Sequence, residues 1–192
     1  AAVDRGEIAV SRAAEIAKAP PKTQRDAVSR GPKVIRNTGN NEWYTPETII
    51  LAARAAMGGI DLDPASCEEA NAVVKAKRFY TKEDDGLSKP WSGRIWLNPP
   101  YSSDLIGRFA DQLKAEVEAG RCKQAVVLVN NGTETAWFAT MASVASALCL
   151  PRGRVKFWSA TREPTAPLQG QTVLYIGKYP GPFVSTFSSL GI

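Results

Sequence analysis

The segment Arg94-Ile95-Trp96-Leu97-Asn98-Pro99-Pro100-Tyr101 starts as a β-strand and stops dead at two prolines. Proline has a fixed φ and no backbone N–H, so the ladder that Arg94–Asn98 can support ends there and the chain must turn. A helix comes next: Ser103 to about Glu118 has apolar residues at helical spacing, and Gly120 closes it. After it stands Gln124–Asn130, QAVVLVN, apolar almost throughout. A strand needs that composition only when both of its faces are buried. Strand, helix and buried strand in alternation predict an α/β protein with a mostly parallel, doubly wound sheet.

The flanks extend the pattern. Upstream, Thr45-Pro46-Glu47 reads as a helix start, with Thr45 capping and Pro46 in the first turn. Ile49, Ile50, Ala53 and Met57 form that helix's buried face, and Gly58-Gly59 ends it. Ile60–Asp63 is a short strand, and Ser66-Cys67-Glu68-Glu69 fits the capping box of another helix. Downstream, Thr133 is placed to cap a helix reaching about Ala142. The rest reads as strands, at Ala147–Leu150, Val155–Trp158, Thr172–Ile176 and Phe183–Phe187, which supply an antiparallel edge. At the other end, residues 8–30 read as two short helices, capped by Ser11 and Thr23 and interrupted by Pro20-Pro21. Residues 31–42, rich in Gly, Pro and Asn, read as a linker. The expected division is a helical arm and linker over 1–40 and a catalytic domain over 41–192. The first residue is not methionine, so a fragment of a longer chain is expected.

Composition narrows the chemistry. The 192 residues are 44% hydrophobic, enough for a full core. No apolar run reaches the roughly 20 residues of a membrane span, and no signal-peptide pattern opens the chain. Cys67, Cys122 and Cys149 are widely spaced, which fits reduced thiols and a cytoplasmic protein. There is no histidine, so histidine triads, histidine-ligated zinc and imidazole acid–base catalysis are excluded, and no metal is implied. The net charge of +5 is uneven: residues 1–40 carry eight Lys/Arg against four Asp/Glu, leaving +1 for the remainder. A basic arm suits a polyanionic partner and equally suits a solvated tail.

Asn98–Tyr101 has a specific chemical use. An exocyclic amine on an aromatic base is a poor nucleophile because its lone pair is delocalised into the ring. It becomes reactive when both N–H groups are given acceptors that hold the nitrogen tetrahedral. The side-chain oxygen of Asn98 and the carbonyl of Pro99 can supply two such acceptors, held in direction by Pro99 and Pro100. Tyr101 offers an aromatic face for an extruded base.

These four residues resemble the catalytic motif of amino-methyltransferases. Around them, Glu42-Trp43-Tyr44-Thr45-Pro46, Asp61-Leu62-Asp63-Pro64-Ala65-Ser66, Asp85-Gly86-Leu87 with Trp91, and Pro151-Arg152-Gly153-Arg154-Val155-Lys156-Phe157 resemble the phage-type DNA N6-adenine methyltransferases, the Dam-like family. The resemblance covers about 42–178 in the family's order. It implies a Rossmann-like, S-adenosylmethionine-dependent methyltransferase fold with a seven-stranded, mostly parallel sheet and an antiparallel edge. It also implies transfer of methyl to the N6 amine of adenine in DNA, in the cytoplasm of a bacterial host, with a phage or prophage origin.

By the same resemblance, Asn98, Pro99, Pro100 and Tyr101 are catalytic, and Asn98 also borders the cofactor. Tyr44, Thr45 and Pro46 pack on the cofactor's methionine end, although Thr45 can equally be a helix cap. Asp61 and Asp63 are expected to accept from the cofactor's hydroxyls or ammonium, with turn aspartates as the alternative. Asp85, or Asp84 in its place, is expected to hold the cofactor's adenine. Arg152, Arg154, Lys156 and Arg162, interleaved with Phe157 and Trp158, are expected to bind DNA; the alternative is a basic hairpin with its aromatics turned inward. The usual Gly-rich loop after the first strand is missing, with Asp63-Pro64-Ala65-Ser66 in its place. Ile8–Ala17 resembles the helical tail of ParB-like DNA-binding proteins. Three alternatives stay open: methylation of protein glutamine, methylation of guanine N2 in RNA, and an inactive DNA-binding relic. The oligomeric state and the recognised DNA site are not readable.

Overall fold

The computed structural model describes residues 43–102, 104–159 and 169–192, which fall within one compact unit, Asn41–Ile192. The expected helices of 8–30, the linker of 31–42 and Arg162 lie outside the described residues. Along the chain come α1 (Glu47–Met57), β1 (Leu62–Asp63), α2 (Glu68–Val74), β2 (Arg78–Phe79), a 3-10 turn at Gly86–Ser88 and β3 (Gly93–Leu97). After these come α3 (Leu105–Glu118), β4 (Cys122–Asn130), α4 (Ala136–Ala142), β5 (Ala147–Cys149), β6 (Gln171–Ile176) and α5 (Gly181–Phe187).

β4 is the spine of the fold because it is apolar on both faces. Val126 and Leu128 pack toward α1 and α5, with Ile50, Ala53, Phe183 and Phe187. Ala125, Val127 and Val129 pack toward α3 and α4, with Phe109, Leu113 and Met141. Alternation along one strand therefore feeds two cores, and the result is a sheet between two helical layers. In α3, Ile106, Phe109, Ala110 and Leu113 are the buried stripe that helical periodicity requires.

The sheet has six strands among the described residues, in the order β2-β1-β3-β4-β6-β5. The pairs β2–β1, β1–β3 and β3–β4 are parallel, and β6 runs antiparallel to both β4 and β5. After β1 the chain moves outward to β2, then returns to lay β3 on the other side of β1. In doubly wound sheets a reversal of this kind opens a crevice at the carboxyl ends of the two strands, here β1 and β3, and ligands bind there.

Several local expectations are corrected. The expected seventh strand is not among the described residues, and two expected strands are absent. Phe183–Phe187 is helical: Pro182 starts the helix, and Phe183 and Phe187, four residues apart, stack at 4.4 Å beneath Tyr175. Val155–Trp158 forms no strand. Only Trp158 pairs, in an isolated antiparallel bridge with Tyr44. The caps also shift by one or two residues. Pro46, not Thr45, precedes α1, and no side chain caps it. Cys67 replaces Ser66 as the cap of α2, its Sγ accepting from the Ala70 N–H at 3.4 Å. Thr135, not Thr133, caps α4.

Candidate active site

Asn98 to Tyr101 leave the carboxyl end of β3. Pro99 is buried, and the Tyr101 hydroxyl, turned inward, donates to the Leu128 carbonyl of β4 at 3.5 Å. Burial raises the Tyr101 pKa well above its ordinary value, so the phenol stays neutral. Asn98 Oδ1 and Ser102 Oγ are buried and have no hydrogen-bond partner within the protein. Buried polar atoms are almost always paired within a folded chain. Two such atoms follow β3 at its carboxyl end, beside the switch in strand order, and they mark a place for a polar ligand.

Asp63 ends β1 at the level of Trp96, two residues before Asn98. It is buried, and burial pushes its carboxyl up to about 7, against a partial offset from the Ala65 N–H that donates to it at 3.2 Å and from the Ser66 hydroxyl. A buried carboxylate without a cation is costly, and an approaching cation or hydroxyl donor relieves it. The loop after it is fixed from below. Tyr80 N–H donates to the Asp63 carbonyl and Ser66 N–H to the Tyr80 carbonyl, both at 2.9 Å. Gly86 lies so close that a Cβ there would sit 2.0 Å from the Pro64 carbonyl oxygen, and Trp91 Nε1 donates to the Gly86 carbonyl at 2.8 Å. The matching stretches Asp63–Ser66, Asp85–Leu87 and Trp91 thus form one packed unit.

Asp85 and Asp84 build this unit's outer turn. Asp85 adopts a left-handed φ of 51°, and its carboxylate accepts from the Leu87 N–H at 3.3 Å. Asp84 accepts from the Thr81 N–H and hydroxyl, each at 2.9 Å, and these bonds lower its pKa. Asp61 is differently placed. It precedes β1, and Arg94 grips it with Nε at 2.8 Å and Nη2 at 2.9 Å while Lys77 Nζ stands at 2.9 Å. The Arg94 bonds hold its carboxyl well below the usual range. The structure sets it at the amino end of β1, beside Gly93 and Lys123 in a cleft of about 520 Å³ at the opposite end of the sheet. Its carboxylate is engaged in an ion cluster that locks β1 to β3, away from the Asn98 end of the sheet where the cofactor role is expected.

Tyr44 and Trp158 bring two distant stretches together. Their backbones exchange hydrogen bonds at 2.8 and 3.0 Å, their rings meet edge-on at 4.8 Å, and Trp158 Nε1 donates to the Thr45 carbonyl at 3.1 Å. Phe157 points the other way, into the core beneath α1, and so cannot stack on a nucleic-acid base as expected. Arg154 and Lys156 are exposed and line a groove of about 370 Å³ with Pro46, Thr48 and Pro151. Arg152 is exposed too, with Nη2 at 3.5 Å from the Ser188 carbonyl.

Sequence reading passed over a polar cluster at the end of β4. Gln171, almost fully buried, donates from Nε2 to Asn130 Oδ1 at 3.1 Å, and Thr172 donates to Asn131 Oδ1. The available signal was the polar pair Gln171-Thr172 opening an otherwise apolar strand.

Taken together, the site is a crevice in a doubly wound sheet, with a proline-held amide at one lip and a buried acid at the other, suited to transfer chemistry on an amine. Residues 33–187 match the family of DNA N-6-adenine-methyltransferases (Dam), and the chain belongs to it. It is an adenine-specific DNA methyltransferase, an enzyme of a class that generally uses S-adenosylmethionine. No curated protein matches the chain at a significant level. No helix among the described residues is long and apolar enough to cross a membrane.

Proposed function

We propose that the crevice between β1 and β3 carries out N6-adenine methylation, with Asn98 Oδ1 and the Pro99 carbonyl as the acceptors of the two amine protons. The observation that carries this is the buried, unpartnered Asn98 Oδ1 at the carboxyl end of β3. A buried acceptor without a partner in the protein costs stability that a substrate N–H restores. Holding both N–H groups turns the nitrogen lone pair out of the ring plane, so it gains nucleophilicity where the reaction needs it. The Tyr101 ring, anchored through its hydroxyl, supplies the face on which the flipped adenine rests.

S-adenosylmethionine, when bound, supplies an electrophilic methyl on a sulfonium. The residues present fit such a cation-bearing, hydroxyl-rich group: buried Asp63 as acceptor, with the Ser66 hydroxyl beside it. Tyr44, Thr45 and Pro46 would bound its methionine end, and Asp85 and Asp84 its adenine. The rigid Asp63–Ser66 loop stands in for the missing Gly-rich turn. The switch in strand order, together with the reversed β6, supports a Rossmann-like methyltransferase fold. Arg154 and Lys156, with Arg152 and Arg162, would meet DNA phosphates, and Trp158 would border the base. Residues 1–40 would be a basic arm outside the catalytic domain. Soluble DNA and cofactor would meet such an enzyme in the cytoplasm.

The test is methyl transfer from labelled S-adenosylmethionine to DNA, with nucleoside analysis of the product. N6-methyladenine should be formed. Asn98→Ala should reduce the rate by on the order of a hundred- to a thousandfold or more while the fold survives. Normal turnover in that variant refutes the assignment.

A further inference from the structure

The amide pair of buried Gln171 and half-buried Asn130 stands beside the proposed methyl-transfer site. Leu97 of β3 is level with Val127 of β4, so Asn98 continues toward Leu128 and Asn130 lies two residues further along. Trp96, Leu128, Val173 and Tyr175 share the core on the α1 side of the sheet. Gln171 and Asn130 continue that same side, and they are register partners. Asn130 therefore ends up one pleat repeat, about 7 Å, beyond the level of Asn98 on the neighbouring strand, close enough for two short amides to flank one base.

The orientation of this pair is dictated by the backbone. Gln171 Oε1 accepts from the Val155 N–H at 3.4 Å, and Nε2 donates to the Gln169 carbonyl at 2.9 Å. An amide flip would set oxygen against oxygen and N–H against N–H, so Gln171 has one arrangement. Its Nε2 then also faces Asn130 at 3.1 Å, which forces Asn130 to answer with Oδ1. The Asn130 Nδ2, a two-proton donor, is left on the other side of the amide. Residue 130 is half-buried at the mouth of the crevice.

We infer that Asn130, oriented by Gln171, is a specificity-determining residue that donates from Nδ2 to the adenine ring nitrogen next to the reacting amine. This rests on the proposed role of Asn98 as acceptor of the amine. An acceptor at Asn98 beside a donor at Asn130 matches adenine, where the N6 donor is flanked by the acceptors N1 and N7. Guanine carries an oxygen in place of that amine and so opposes the Asn98 acceptor. Gln171 is a positioning residue, acting only through Asn130. Because Val155 is the N–H that orients Gln171, the basic segment on which Arg154 and Lys156 lie is tied to the base-reading amide.

The experiment compares kcat/KM on oligonucleotides carrying adenine, 1-deazaadenine or 7-deazaadenine at the target. Wild type should lose roughly ten- to a hundredfold on one of the two analogues, which identifies the nitrogen contacted. Asn130→Asp keeps the bond from Gln171 but removes the donor. It should lose a similar factor on adenine and nothing more on that analogue. Gln171→Glu, which attracts the Asn130 amide in the reversed sense, should show the same loss of discrimination, a readout that a purely structural role would not move. The inference is overturned if wild type tolerates both analogues, if Asn130→Asp methylates adenine normally, or if its loss and the analogue's loss multiply. A wild-type enzyme inert on every adenine oligonucleotide overturns the underlying role of the crevice instead, and this inference with it.

Discussion

Asp63→Asn tests the electrostatics of the crevice most directly. Asp63 is fully buried, and burial lifts its carboxyl from an ordinary 3.8 to about 7. Each pH decade between those values costs the ionised form about 1.4 kcal/mol, so the full penalty for the charge is about 4 kcal/mol. The sign comes from the raised value: the group's contribution to stability is fully present below about 3.8 and is lost as pH rises through about 7. Between pH 5 and pH 8 the wild type should therefore lose about 2–3 kcal/mol relative to Asp63→Asn, which carries no such charge. Urea denaturation of both proteins without cofactor, at four pH values across that range, measures it. The buried amide brings its own constant cost, and only the pH-dependent part of the difference matters. A gap between the two proteins that stays flat from pH 5 to pH 8 refutes the reasoning. The same carboxylate predicts that wild-type affinity for S-adenosylmethionine strengthens as pH rises through about 7, and that the dependence disappears in Asp63→Asn.

Three further outcomes are expected. Gly86→Ala drives a Cβ into the Pro64 carbonyl oxygen and should destabilise the fold by more than about 2 kcal/mol, read as a lower thermal midpoint. Asp61→Ala leaves Arg94 and Lys77 without their carboxylate at a partly exposed site; about 1–2 kcal/mol of stability should go, with S-adenosylmethionine affinity by calorimetry unchanged. Replacing Arg154 and Lys156 together with Ala should flatten the dependence of log DNA affinity on log salt by up to about 2, without altering cofactor binding; an unchanged slope removes both from the DNA interface.

The legible parts of the sequence were those in which one physical requirement dominates. QAVVLVN had to be a buried strand, and Asn-Pro-Pro-Tyr had to terminate one, because composition and proline leave little choice. Residues 183–187 were opaque because Phe, Val and Thr favour strands, while the decisive fact was that Phe183 and Phe187 needed the same face beneath Tyr175. Val155–Trp158 alternates like a strand, but its alternation serves a single bridge to Tyr44 and one buried ring, Phe157. Among the site residues, Asn98 and Asp63 were visible as polar groups at strand ends. Asp61 looked the same as Asp63 from two positions away, and only Arg94, thirty-three residues later, distinguishes them. Gln171 showed locally only as a polar residue opening an apolar strand, since its partners Asn130 and Val155 are far off in sequence.

The position of β6 constrains the order in which the chain can come together. Among the described residues β5 joins the sheet only through β6, and β6 reaches β4 only after the chain has passed Gln171. During synthesis, then, β1 to β4 and their helices can assemble as they emerge, while β5 waits with no ladder to join. When β6 arrives it must enter between the two as a wedge, completing both seams in one event, and α5 closes over it. A chain stopped before Gln171 loses two strands rather than one and leaves the edge of β4 bare. It also lacks Gln171, whose amide holds the side chain of Asn130 at the end of β4.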